Sequence, residues 1–226
     1  MNVIVFGATG MVGGGALTEC LEDPRVRSVL MVGRKPCGVT HPKLRELIRS
    51  DFFDYSDAKV ALAGHDACFF CLGVSAAGLT EAAYHRLTYE LTLSAAGALV
   101  ALNPGLTFCY VSGEGTDSTE HGRFMWARVK GKTENHLLAM PLNAYMFRPG
   151  FIQPVKGARS KTKLYRAVYT VLGPLYPLLK RLLPSHVTTT ANVGRAMIQV
   201  AANGYSKHVL ENQDINSLAV SGPSVW

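Results

Sequence analysis

Three glycines spaced three apart, Gly7, Gly10 and Gly13, lie in the run Val5-Phe6-Gly7-Ala8-Thr9-Gly10-Met11-Val12-Gly13, which follows an apolar, β-branched stretch and opens a helical one. In that setting the chemistry is anion binding. Gly7 allows a tight turn, Gly10 lets backbone approach a pyrophosphate, and Gly13 lets the helix pack on the strand. The helix N-terminus adds free N–H groups and the positive end of its dipole, which Thr9, Met11 and Val12 share. After the second apolar run comes Gly33-Arg34-Lys35, where many NAD sites carry an acid against the ribose 2′-hydroxyl. Arg34 offers a 2′-phosphate two parallel hydrogen bonds and Lys35 a further charge, so the residues point to NADP(H) over NAD(H), the alternative being two solvated loop cations. Asp51 and Phe52, at the end of the expected third strand, are placed against the adenine. Cys71, Leu72 and Gly73 end the fourth, with Gly73 keeping the loop low beside phosphates and ribose.

The elements that must hold these residues alternate. Asn2 to Phe6 reads as a strand and Ala16 to Leu21 as helix. Ser28 to Val32 reads as a strand, and His41 to Ser50 as helix from the spacing of Leu44, Leu47 and Ile48. Strands follow at Ser50 to Phe53, Ala67 to Leu72, Leu106 to Val111 and Ala144 to Phe147. Helices are expected over Thr80 to Asn103, with Thr80 as N-cap and Glu81 in the first turn, and over Arg123 to Met140. Beyond Gly150 an amphipathic, proline-broken segment precedes a helix at Thr190 to Asn203 and a short strand at Lys207 to Leu210. The fold class is therefore α/β, a Rossmann-like doubly wound parallel sheet of six to seven strands. One domain spans 1–226, and 151–226 is a small C-terminal extension on the substrate side that covers the cleft, since ligands bind such sheets at the strands' carboxyl ends.

Composition agrees with one well-filled domain: 48% of the 226 residues are hydrophobic and only 17% charged, enough to cover a sheet on both faces. Five cysteines, Cys20, Cys37, Cys68, Cys71 and Cys109, are an odd number in mostly apolar runs, so they read as core residues of a reducing compartment. Cys68 and Cys71 stand three apart on a strand and face opposite ways, so no metal site is expected. The chain enters its first strand without a basic region or cleavage site, which places it in the cytoplasm. The net charge of +7 is concentrated in Lys156, Arg159, Lys161, Lys163, Arg166, Lys180 and Arg181, without nucleic-acid-binding spacing. No nucleic-acid partner is expected. The segment 161–183 is too interrupted to span a membrane; it reads as a solvated face beside an anionic substrate or as a peripheral membrane contact.

These motifs, with Gly64-His65-Asp66, Cys71-Leu72-Gly73, Val111-Ser112, Val129-Lys130-Gly131-Lys132-Thr133-Glu134, Phe147-Arg148-Pro149-Gly150 and Leu210-Glu211-Asn212, carry a resemblance. Together they resemble the atypical short-chain dehydrogenases/reductases, and more narrowly the Tat-interacting-protein-like oxidoreductases, labelled NAD-dependent epimerase/dehydratase or NAD(P)H-binding proteins. The resemblance implies a Tyr-x-x-x-Lys pair on one helix and a serine at the end of the fifth strand, the lysine holding the nicotinamide ribose and lowering the tyrosine's pKa. Lys130 fits the lysine and Ser112 the serine as catalytic residues; Pro149 and Gly150 would lie against the nicotinamide. The tyrosine position holds Trp126, whose indole donates a hydrogen bond but does not titrate near neutral pH. His121, Tyr84 and Tyr89 are the candidate proton donors. Two functions remain open at this level: an NADP(H)-dependent oxidoreductase of an unidentified carbonyl, quinone or flavin, and a noncatalytic NADPH-sensing protein whose occupied state orders the C-terminal segment for a partner.

Overall fold

A computed structural model describes residues 1–156 and 181–220. The chain starts directly in β1 (Asn2–Phe6), whose β-branched residues are buried on both faces, and turns at Gly7 into α1 (Met11–Glu22). There follow β2 (Ser28–Gly33), β3 (Leu44–Ile48), the short α2 (Lys59–Leu62) and β4 (Ala67–Phe70). Next come α3 (Glu81–His85), a wider π-helical turn at Arg86–Glu90 and α4 (Leu91–Leu102), one continuous helical stretch. The chain continues with β5 (Thr107–Val111), α5 (Met125–Ala139), β6 (Asn143–Arg148) and β7 (Phe151–Gln153). After the segment 157–180 come β8 (Val187–Thr189), α6 (Thr190–Asn203), β9 (Val209–Glu211) and α7 (Asn212–Val220).

Among the described residues, seven strands form one parallel sheet in the order β3-β2-β1-β4-β5-β6-β9, and β7 pairs with β8 in a separate two-stranded ribbon. The strand order reverses between β1 and β4, where Val3 to Phe6 run in register with Ala67 to Phe70. A crevice at that reversal is where open parallel sheets take their ligands. Strand alternation sends side chains to two cores. Val3, Val5, Phe69 and Phe147 face α1, α6 and α7. Ile4, Phe6, Phe70 and Phe108 face α4 and α5. The helices thus lie on both faces, and the Rossmann-like, doubly wound fold is as the sequence implied.

The chain from 41 to 50 is not helical: β3 occupies Leu44–Ile48 at the sheet edge, and no strand forms at Ser50 to Phe53. Leu44 packs into the first core and Leu47 into the second. Residues three apart reach opposite faces of a strand but the same face of a helix, so the spacing that looked helical served two layers. Cys68 and Cys71 separate in the same way, into the second and first cores. Thr80 does cap its helix, its hydroxyl accepting from the Ala83 amide at 3.3 Å. No residue pattern signals the π-helical turn that interrupts this stretch.

Glycines set several of the closest approaches. A Cβ on Gly131 of α5 would fall 1.8 Å from the Asp117 carbonyl, because the loop after β5 lies directly on that helix. A Cβ on Gly97 of α4 would meet nothing within 4 Å. Gly131→Ala is therefore expected to cost roughly 1–3 kcal/mol through overpacking, whereas Gly97→Ala should be stabilising by about 0.4–1 kcal/mol through the unfolded chain. Urea unfolding midpoints of the two variants check the contrast; equal shifts would contradict it.

Candidate functional site

The glycine turn and the runs that close β2, β4, β5 and β6 gather at the carboxyl ends of the parallel strands, whereas Gly64-His65-Asp66 lies at the amino end of β4, where the Asp66 carboxylate accepts from the Asn2 amide at 2.6 Å. At the end of β1, Gly7 adopts φ +78°, and a Cβ there would lie 2.7 Å from the Cys71 carbonyl oxygen and 2.8 Å from the Leu72 nitrogen. The β1 turn and the end of β4 therefore touch backbone to backbone, which glycine alone allows. A Cβ on Gly13 would fall 2.3 Å from the Gly7 oxygen, so α1 packs onto its own turn through that residue. Gly10 is the N-cap of α1, donates its N–H to the Gly7 carbonyl at 2.8 Å and offers no side-chain cap. The first N–H groups of α1, around Met11 and Val12, thus open on the crevice uncapped, beside Thr9, a cradle suited to an anion.

Arg34 and Lys35 follow β2, exposed, and neither forms an ion pair among the described residues. Asp51 and Phe52 do not meet an adenine side by side as expected. Phe52 is buried in the second core, edge-on to Phe6 with ring centres 6.5 Å apart, because β3 ends earlier and the chain turns inward. The Asp51 carboxylate remains exposed and accepts from the Phe53 amide at 2.7 Å. Cys71 packs toward the first core with its thiol pushed up to about 12 by burial, and Leu72 packs toward the second. A Cβ on Gly73 would meet open space, so no close approach requires glycine there.

At the other side of the crevice, Ser112 and Lys130 come together differently from the expectation. Lys130 Nζ donates to the Ser112 carbonyl, whereas the Ser112 hydroxyl is buried and donates to Glu134 Oε1 at 2.5 Å, 3.1 Å from the Phe147 carbonyl. Glu134, 1% exposed, also takes Arg148: the guanidinium Nε lies 3.1 Å from both carboxylate oxygens, and Nη2 binds Oε2. Arg148 Nη1 reaches Glu211 on β9 at 3.3 Å and Nη2 reaches Ser118 at 2.5 Å. The serine hydroxyl is thus fixed behind the strand edge, and it is the serine's carbonyl that faces the lysine. Burial pushes the Lys130 ammonium down to about 8, with the Glu134 charge pulling the other way.

Trp126 is one turn before Lys130, and a Cβ on Gly115 would touch its ring at 3.4 Å. Of the proposed donors, Tyr84 is 2% exposed, and the Tyr89 hydroxyl is 2.7 Å from His136 Nδ1 in a cluster with His85 and Lys132. His121 sits on the loop with its amide directed to Thr119. No contact among the described residues brings Tyr89 or His121 to Lys130. The residues sequence reading missed are Glu114 and His186, whose side chains pair above the Pro149-Gly150 turn, Nδ1 to Oε1. A Cβ on Gly150 would be 2.2 Å from the His186 carbonyl oxygen and 2.6 Å from Glu114 Oε2. Their numbers lie 72 apart, so no local spacing could have joined them.

Comparison with known proteins now bears on this arrangement. No family model matches the chain. Protein fmp52, mitochondrial, of Aspergillus clavatus is 30% identical over 189 residues, 79% of each chain. The chain belongs to the fmp52 family. Leucinostatins biosynthesis cluster protein T of Purpureocillium lilacinum is 32% identical over 122 residues, but that match spans only 45% of its length and 53% of this chain. Among solved structures, the Bordetella bronchiseptica enzyme WbmF in complex with NAD+ superposes with a TM-score of 0.64 at 20% identity, over 96% of this chain and 76% of that one. A short chain dehydrogenase family protein from Francisella tularensis gives 0.63 at 12%, over 90% and 91%. These likenesses show the fold, a parallel, doubly wound α/β sheet shared with those two proteins. The fmp52 relative is named mitochondrial, which lends the cytoplasmic expectation no support. No helix among the described residues is long and apolar enough to cross a membrane, and most of the 161–183 segment lies outside them.

Two outcomes follow from the geometry. Glu134→Ala leaves the Arg148 charge half-buried without its main partner and should cost about 3–5 kcal/mol in urea unfolding, whereas Glu134→Met combined with Arg148→Leu should recover most of it. Because the folded Lys130 titrates near 8 against an ordinary 10.5, the unfolded chain holds a proton that the native state releases. Wild-type stability relative to Lys130→Met should therefore rise as pH increases from 8 to 10.5, and a flat difference across that window would contradict the assignment.

Proposed function

We propose that the protein is an NADP(H)-binding oxidoreductase of the short-chain dehydrogenase/reductase type, acting on a small carbonyl, quinone or flavin substrate. The observation that carries this reading is the cradle itself. Gly7, Gly10 and Gly13 bring backbone within reach at the β1–β4 reversal, the N-terminus of α1 is uncapped, and Arg34 and Lys35 stand unpaired beyond β2. Backbone N–H groups around Thr9, Met11 and Val12 would hold the pyrophosphate, and the two cations the 2′-phosphate. Asp51 would serve the adenine end alone, since Phe52 belongs to the core. The ends of β4 at Cys71, Leu72 and Gly73 and the turn at Pro149 and Gly150 would flank the rest. Lys130 would hold the nicotinamide ribose, and Ser112 acts as a positioning residue that anchors Glu134 and presents its carbonyl to Lys130. A bound reduced dinucleotide would supply hydride. The WbmF enzyme is solved in complex with NAD+ and with NADH, which supports a nicotinamide dinucleotide in general; the preference for NADP(H) rests on Arg34 and Lys35. We also propose that 151–226 forms the substrate-side cover of one domain.

Calorimetric titration of nucleotide-stripped protein with NADPH and NADH tests this. The expected result is tight NADPH binding, weak NADH binding and a loss of roughly 1–3 kcal/mol for NADPH on Arg34→Ala, as for a charge-assisted phosphate contact. Binding of neither nucleotide would remove the oxidoreductase reading. Binding without oxidation of NADPH by any carbonyl, quinone or flavin would favour a sensing role.

A further inference from the structure

The helix that carries Lys130 has tryptophan where a tyrosine would titrate, so a reductase of this build needs its proton from another element. Glu114 and His186 meet at the Pro149-Gly150 turn. The Glu114 amide donates to the Pro149 carbonyl at 2.9 Å, and the His186 carbonyl accepts from the Phe151 amide at 2.8 Å, so the backbones of both residues are tied to the strand ends beside them. A Cβ on Gly113, next to Glu114, would lie 3.9 Å from Lys130 Nζ and 4.0 Å from the Pro149 oxygen. The Gly113-Glu114 loop thus runs from beside Lys130 to the Pro149-Gly150 turn, over which Glu114 pairs with His186.

A carboxylate only accepts hydrogen bonds, so His186 Nδ1 carries the hydrogen directed at Glu114, and Nε2 is left for another partner. Both side chains are about half exposed, at 54% and 41%. An ion pair this open contributes at most about 1 kcal/mol to stability, yet it exchanges protons freely with water. Few other charges compete. From α5, Lys130 and Glu134 face this side, with Glu134 committed to Ser112 and Arg148; Arg148 is further tied to Glu211, and α7 offers the amides of Asn212 and Asn216, which serve the Val187 and Pro184 carbonyls.

We propose that His186, oriented by Glu114, is the proton donor and acceptor that replaces the missing tyrosine. The assignment rests on the dinucleotide reading above. In the reducing direction, hydride supplied by the reduced dinucleotide adds to the carbonyl carbon, the π pair moves to oxygen, and that oxygen takes the proton from His186 Nε2. The imidazole is then reprotonated by solvent, so one carbonyl, one NADPH and one proton give one alcohol and one NADP+. Glu114 holds the ring's tautomer and stabilises the imidazolium, as an orienting carboxylate does for a histidine acid or base.

The test follows the His186 ring by NMR in histidine-labelled full-length protein, its signal assigned with His186→Gln, while NADP+ is added. Calorimetry on the same samples reports binding, and NADPH oxidation by 9,10-phenanthrenequinone reports turnover. We expect NADP+ to shift the His186 signal, and Glu114→Gln to lower kcat with KM unchanged. His186→Gln should lose about 10²-fold or more in kcat, as for removal of a general acid, with NADPH affinity unchanged within about twofold. Absence of NADP+ binding would overturn the dinucleotide reading and this assignment together. Binding that leaves the His186 signal unmoved would overturn the assignment alone, as would bound dinucleotide without turnover or turnover that is equal in His186→Gln.

Discussion

The buried Glu134–Arg148 ion pair is the constraint on which the nicotinamide side of this molecule is built. It joins α5 to the end of β6, and each partner enlists further elements: Glu134 takes the Ser112 hydroxyl at the end of β5, and Arg148 takes Glu211 on β9 and Ser118 in the β5–α5 loop. Two charges removed from water hold one geometry only when their remaining hydrogen-bonding capacity is also met. Here several partners meet it, and the ends of β5, β6 and β9 are fixed to α5 as a result. Because Ser112 is pinned through its hydroxyl, its carbonyl points the other way and receives Lys130.

The opposite side of the crevice is fixed by space rather than charge. Gly7 against Cys71 and Gly13 against Gly7 allow backbone contacts that a single methyl would prevent, and they leave the start of α1 open. Gly15 and Gly194 do the same between α1 and α6, where added Cβ atoms would come within 2.5 Å of Thr190 and 3.0 Å of Ala16. A cradle of free N–H groups and a lysine held at the far strand ends thus face one crevice. Neither requires the other's residues, but both require the parallel order of β1, β4, β5 and β6.

Much of this was legible in the chain. The bounds of β1 and α6 match the ranges expected of them, and Gly7 makes the tight turn and Gly13 lets α1 pack on it as their spacing implied. What failed did so for identifiable reasons. Leu44 and Leu47 fit a helix as well as a strand until two separate core layers are known. Phe52 sits near a strand end, but its large ring gains more from burial against Phe6 than from the crevice. The side of the strand end to which Ser112 turns depends on Glu134, 22 residues away. Glu114 and His186 carry no motif, and only the docking of β8 against β7 brings the histidine to the site.

The central claim is that a reduced nicotinamide dinucleotide lies in this crevice with its nicotinamide end beside Lys130 and Trp126. The chain has two tryptophans, so replacing Trp226 with phenylalanine leaves Trp126 as the sole indole reporter. Energy transfer from tryptophan to added NADPH in that variant measures the placement. The account predicts strong quenching of Trp126 with sensitised NADPH emission, reversed by excess NADP+. NADPH binding detected calorimetrically without energy transfer would contradict it.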